Sequence, residues 1–150
     1  MKSITGKIIL LLAFCTTAVS FSPKPGGEGF EILLNNKVIL QKYGNNMDKV
    51  QTLQLRAASS GDMLTVRYYH CGRIGKNRTI TFKDGNNKII KEFNFSDVNS
   101  SFAPMTLQVK DILSLQSGNS ILKLFYSSSE LPGGRMLASI NKGIAGTAKL

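Results

Sequence analysis

From residue 30 onward, short apolar runs alternate with clusters of Asn, Gly, Asp and Ser. Phe30 to Leu34 and Lys37 to Tyr43 flank Asn35-Asn36. Asparagine tolerates positive φ, so that dipeptide predicts a two-residue hairpin turn. Val50 to Arg56 puts Leu53 and Leu55 on one face, and Ser59-Ser60-Gly61-Asp62 reads as a turn. Met63 to Cys71 alternates, with Leu64, Val66, Tyr68 and His70 on one side and Met63, Thr65, Arg67, Tyr69 and Cys71 on the other. Arg78 to Lys83 groups Ile80 with Phe82, Asp84-Gly85-Asn86-Asn87 turns, and Lys88 to Phe95 aligns Ile89, Phe93 and Phe95. After the polar stretch Ser96 to Pro104, Met105, Leu107 and Val109 alternate, and Asp111 to Leu115 has room for one helical turn. Ile121 to Tyr126 and Arg135 to Ile140 complete the set, separated by Pro132-Gly133-Gly134. This is the pattern of an all-β protein, a single antiparallel β-sandwich of about nine short strands, Ig-like or jelly-roll-like, with a barrel as the alternative. A βαβ fold needs helices of ten or so residues between strands, and the pattern holds none.

The N-terminus departs from this pattern. Lys2 and Lys7 precede an apolar run from Ile8 to Cys15, and Ala18-Val19-Ser20 supplies small residues at −3 and −1. These are the three parts of a secretory signal, expected to span residues 1–20. The run is too short to cross a bilayer core of about 30 Å, and no later stretch is apolar enough to do so. Leu12-Ala13-Phe14-Cys15 resembles a lipidation signal, but Phe14 stands where a small residue is required, so lipidation at Cys15 is the weaker expectation. The expected product is exported, to the periplasm or the cell surface or the medium. Residues 21–29, with two prolines and three glycines, read as a flexible lead-in, residues 30–142 as the sandwich domain and residues 143–150 as a flexible tail.

Composition narrows the chemistry. The 150 residues carry 19 Lys plus Arg against 9 Asp plus Glu, a formal charge of +10, with two cysteines, one histidine and no tryptophan. Removal of residues 1–20 takes Lys2, Lys7 and Cys15, leaving a +8 chain with the single cysteine Cys71. An intramolecular disulfide is then impossible, and a His/Cys metal centre has too few ligands. The cations are spread over almost every strand, which argues against a nucleic-acid face.

The most unusual segment is Tyr68-Tyr69-His70-Cys71-Gly72-Arg73-Ile74-Gly75-Lys76-Asn77-Arg78. A cysteine nucleophile needs a base in direct contact, and strand neighbours point to opposite faces, so His70 and Cys71 do not form a dyad on a regular strand. Gly75-Lys76 lacks the upstream glycine and following Ser or Thr of a phosphate loop. Arg67, Arg73, Lys76 and Arg78 can form an anion-binding corner, helped by glycine N–H groups, or a solvated cationic loop. Tyr43, Tyr69 and Tyr126 fit a sugar platform and half-buried strand positions equally well. Asp84-Gly85-Asn86-Asn87 lacks the spaced carboxylates of a calcium loop.

The sequence therefore predicts no catalytic residue, metal or cofactor. It predicts an exported, non-catalytic binding domain for an anionic or carbohydrate ligand, such as an anionic cell-surface polymer, or for an envelope protein. A small secreted hydrolase whose site assembles only in the fold is the alternative. As an unpaired thiol in an oxidising compartment, Cys71 also predicts a disulfide-linked dimer.

Overall fold

A computed structural model describes residues 27–56, 61–118 and 120–143. The expected signal at 1–20, lipidation at Cys15, the first part of the lead-in and most of the tail lie outside these residues. Nine strands and one short helix follow in order: β1 (Gly29–Leu34), β2 (Lys37–Tyr43), β3 (Gln51–Leu55), β4 (Met63–Tyr69), β5 (Arg78–Lys83), β6 (Ile89–Phe95), β7 (Met105–Gln108), α1 (Val109–Ser114), β8 (Leu122–Ser128) and β9 (Leu131–Lys142). A 3₁₀ turn, Gly44–Asn46, begins the connection between β2 and β3. The strands form two packed sheets, in the order β2-β1-β4-β7 and β3-β9-β8-β5-β6. The molecule is a β-sandwich and not a closed barrel.

Period-two alternation builds its core. Phe30 and Ile32 of β1, Leu40 of β2, Leu64, Val66 and Tyr68 of β4, and Met105 and Leu107 of β7 point inward from the first sheet. Leu53 and Leu55 of β3, Ile80 and Phe82 of β5, Leu122, Leu124 and Tyr126 of β8, and Ala138 and Ile140 of β9 meet them. Helix α1 adds Val109 and Ile112, both fully buried. The turns follow from residue chemistry. Asn35 and Asn36 have φ of 49° and 66°, positive at both central positions of a hairpin turn whose twist matches its strands. The Asp84 carboxylate accepts from the N–H groups of Asn86 and Lys88, closing the β5–β6 turn.

Four details differ from the sequence expectation. β3 runs parallel to β9, while every other strand pair is antiparallel. β9 begins at Leu131, so Pro132-Gly133-Gly134 lies within a strand and not between two. β3 covers β9 only from Ala138 onward, so Pro132, which has no N–H, faces an open edge. Gly134, at φ 66°, absorbs the irregular register there. A bulge between Phe82 and Lys83 shifts the β6 register, and Ile89 leaves the face of Phe93 and becomes exposed. Finally, β4 stops at Tyr69, and Cys71 lies in the turn beyond it.

Candidate functional site

The antiparallel course of the first sheet gives the sandwich two distinct ends. Tyr69 of β4 pairs with Gly29 of β1 at one end, and Leu64 pairs with Leu34 toward the other.

The first end is closed. After β4 the chain reverses through His70-Cys71-Gly72-Arg73, with φ of 47° at Cys71 and 83° at Gly72 and the Arg73 N–H donating to the His70 carbonyl at 3.0 Å. The reversal carries His70 inward and leaves Cys71 exposed, so the only histidine and the only described cysteine part. His70 Nε2 lies 2.8 Å from the Tyr126 hydroxyl and 3.2 Å from Ser128 Oγ. Tyr68 stacks on Tyr126 with centroids 4.3 Å apart, and the His70 ring lies 4.7 Å from that of Tyr68. Gly75 presses its backbone against this group: a Cβ there would sit 2.9 Å from the Tyr126 hydroxyl and 3.1 Å from the His70 ring. Burial holds the His70 pKa below its ordinary value, outweighing the upward pull of Glu130 and Glu28. The Tyr68 hydroxyl donates to Glu28, which pairs with Arg135 at 3.6 Å, and Arg135 reaches Asp48 at 2.9 Å. Burial first, and Glu28 second, push the Tyr68 hydroxyl pKa far up.

The His70–Ser128 contact joins residues 58 positions apart, and no local motif announces it. It does not amount to an activated nucleophile. Both residues are about 95% enclosed, at 4% and 5% exposure, and His70 Nε2 is shared with the Tyr126 hydroxyl.

The four cations expected to form an anion corner have different roles. Arg78 is buried, and its guanidinium donates to the carbonyls of Ala103 at 3.0 Å and Ser96 at 2.8 Å. It ties β5 to the loop before β7. Arg67 lies on the outer face of the first sheet, 3.9 Å from Glu31. Arg73 and Lys76 are exposed in the loop. The backbone N–H groups of that loop already hold the protein's own carboxylates, since Lys76 N–H donates to Glu130 at 2.9 Å and Asn77 N–H to Asp97 at 2.8 Å. Of the three tyrosines, Tyr126 is in the core; Tyr43 and Tyr69 lie on the outer side of the first sheet, where Tyr43 is half-buried and Tyr69 is buried at 9% exposure against Tyr43 and Phe102.

No family model matches this chain, and no curated protein is significantly similar to it.

Among the described residues, the opposite end is open. A cleft of about 890 Å³ lies there, lined by Leu34 and Asn35 of the β1–β2 hairpin, Gln54 and Arg56 at the end of β3, Asp62, Lys110, Leu113 and Ser114 of α1, and Lys142-Gly143 at the end of β9. Leu34 and Leu113 are half-buried and give it an apolar floor, while Arg56, Lys110 and Lys142 are exposed on its walls. Asp62 is the carboxylate in the lining; it is buried and receives the Asn35 side-chain amide at 3.1 Å. Among the described residues, no ion pair engages the three cations. The walls are fixed by backbone bonding: Asn35 N–H to Met63, Val109 N–H to Asp62 and Gly143 N–H to Leu55, each at 2.9 Å. A Cβ at Gly143 would lie 2.6 Å from Cγ of Arg56, so a side chain there would displace Arg56. Chemically, this cleft can hold an anion against these three cations while shielding an apolar group. The Ser114 hydroxyl in this lining donates to the Asp111 carbonyl.

Proposed function

We propose that the protein is an exported, non-catalytic binding domain, and that its ligand is an anionic group carried on a short apolar stem, held in the cleft at the open end. The observation that carries this reading is the convergence of Arg56, Lys110 and Lys142, from three separate elements, around a floor of Leu34 and Leu113. Ligand sites are typically concave and part-apolar with a few convergent polar groups, and cations beside a low-dielectric wall concentrate anions. The export half of the proposal rests on the N-terminal signal pattern.

The test is calorimetric titration with octyl phosphate below its micelle concentration, with inorganic phosphate and octyl glucoside in parallel. Octyl phosphate is expected to bind saturably and more tightly than either comparator. In Arg56→Ala/Lys110→Ala/Lys142→Ala the affinity falls at least tenfold, a loss of about 1.4 kcal/mol. Absence of saturable binding, or unchanged affinity in the triple variant, removes the proposal.

Cys71 carries a separate partner expectation. Its thiol is exposed, so non-reducing gels of purified protein should show a dimer that Cys71→Ser abolishes. A monomer under oxidising conditions would remove that partner.

A further inference from the structure

The outer face of the first sheet holds an arrangement that the cleft does not use. In register, Gly29 of β1 lies between Tyr43 of β2 and Tyr69 of β4, and Glu31 lies between Gln41 and Arg67. These two cross-strand rows are separated by two strand residues, about 7 Å. Gly29 makes the first row possible, since its Cβ would fall 2.0 Å from Cδ1 of Tyr43. The tyrosine ring occupies that space and leans toward Tyr69, with centroids 5.9 Å apart. Phe102, from the loop before β7, extends the row by an edge contact with Tyr69 at 4.9 Å and is half exposed, at 51%. The second row is polar and fixed in place. Glu31 Oε1 accepts from Gln41 Nε2 at 3.0 Å and from the Tyr43 hydroxyl at 2.9 Å, and its Oε2 faces the Arg67 guanidinium at 3.9 Å.

We infer that this face is a second binding site, for a neutral oligosaccharide chain. Sugar rings present an apolar C–H face and a rim of hydroxyls. They therefore require an aromatic surface next to planar, rigid hydrogen-bonding groups; Phe102 and Tyr43 offer the first and Gln41 and Arg67 the second, with the buried Tyr69 and the largely covered Glu31 as the backing that holds them. Because each polar side chain is already anchored to another, little side-chain entropy is left to lose on binding. Charge selects the class. Glu31 and Arg67 offset one another, so the face carries no excess cation to favour the anion expected in the cleft. Burial and the neighbouring Glu31 push both tyrosine hydroxyls above their ordinary pKa, so both stay protonated at neutral pH and the Tyr43 hydroxyl keeps donating to Glu31, holding that row in place. This inference stands independently of the anionic ligand in the cleft.

The experiment is titration of the protein with cellohexaose, maltohexaose and hexa-N-acetylchitohexaose, followed by tyrosine fluorescence, which no tryptophan obscures. At least one hexasaccharide should bind saturably. Phe102→Ser, a change at a half-exposed loop position, should weaken binding at least threefold, and Tyr43→Ala/Phe102→Ser at least tenfold with the thermal transition retained. The Arg56→Ala/Lys110→Ala/Lys142→Ala variant should bind the same sugar unchanged, which separates this site from the cleft. If none of the three sugars binds, or if Phe102→Ser leaves binding unaltered, the inference is wrong.

Discussion

The two ends of this sandwich contain similar kinds of side chain and use them in opposite ways. At the closed end His70, Tyr68, Tyr126, Ser128, Glu28, Arg135 and Asp48 are spent on one another, with their partners at hydrogen-bonding or ion-pair distance. At the open end Arg56, Lys110 and Lys142 line a cleft with no carboxylate paired to them among the described residues. Satisfied and enclosed polar groups stabilise a fold, whereas unsatisfied groups at the rim of a cavity are free to meet a ligand. The unusual residues in the sequence therefore lie at the end that serves the architecture, and the ordinary-looking lysines lie at the end that can bind.

Tyr126 stands at the centre of the closed end. It is fully buried and joins the two sheets through its stack on Tyr68 and its bond to His70. Tyr126→Ala should cost about 3–5 kcal/mol in urea denaturation, in the range for truncating a large buried aromatic. Tyr126→Phe keeps the stack and removes the hydroxyl, and should cost about 1–2 kcal/mol because His70 loses its nearer partner. If Tyr126→Ala costs less than 1 kcal/mol, the closed end does not anchor the two sheets.

Gly75→Ala is the next largest effect. The added methyl would press on the Tyr126 hydroxyl and the His70 ring, neither of which has room to yield, so about 1–3 kcal/mol should be lost. A wild-type unfolding midpoint in Gly75→Ala would show that the loop can lift away from the aromatic group.

Strand periodicity made most of the fold legible, because alternation is set by which residues can be buried together. Leu64, Val66 and Tyr68 are inward in the structure as their parity requires, and Asn35-Asn36 turns as expected. The same parity contained a further signal: Arg78 shares the face of Ile80 and Phe82, and Tyr126 that of Leu122 and Leu124, so neither was a free surface group. Bulges were not legible, since an inserted residue turns the rest of its strand to the other face without altering composition; Ile89 and Pro132 are two of the places where such a shift changed the reading. Nor was the cleft. Arg56, Lys110 and Lys142 come from a strand end, a helix and another strand end, and only the packing of the two sheets brings them together.

The histidine tests the closed end by pH. Its folded-state pKa lies below the ordinary value of about 6.5. The unfolded chain thus takes up the proton first, and stability is greatest above about pH 6.5. It should decline as pH falls from there and level out once pH is below the folded-state pKa. Unfolding midpoints of the wild type and His70→Gln, compared between pH 7.5 and 5.5, check this: the wild-type curve should slope downward and the variant curve should be flatter. Equal slopes would mean that His70 does not titrate differently on folding.

If the cleft cations are reserved for a ligand, the fold does not depend on them. Arg56→Ala/Lys110→Ala/Lys142→Ala should therefore alter ligand-free stability by no more than about 0.5 kcal/mol, the usual range for exposed side chains without fixed partners. The sign should favour the variant at low salt, because three like charges around one cleft repel, and that gain should fade as salt screens them. Unfolding in urea at 20 mM and 500 mM NaCl measures both parts. A variant that loses 2 kcal/mol or more would place these cations in the architecture, alongside Arg78 and Arg135, and would erase the distinction between the two ends.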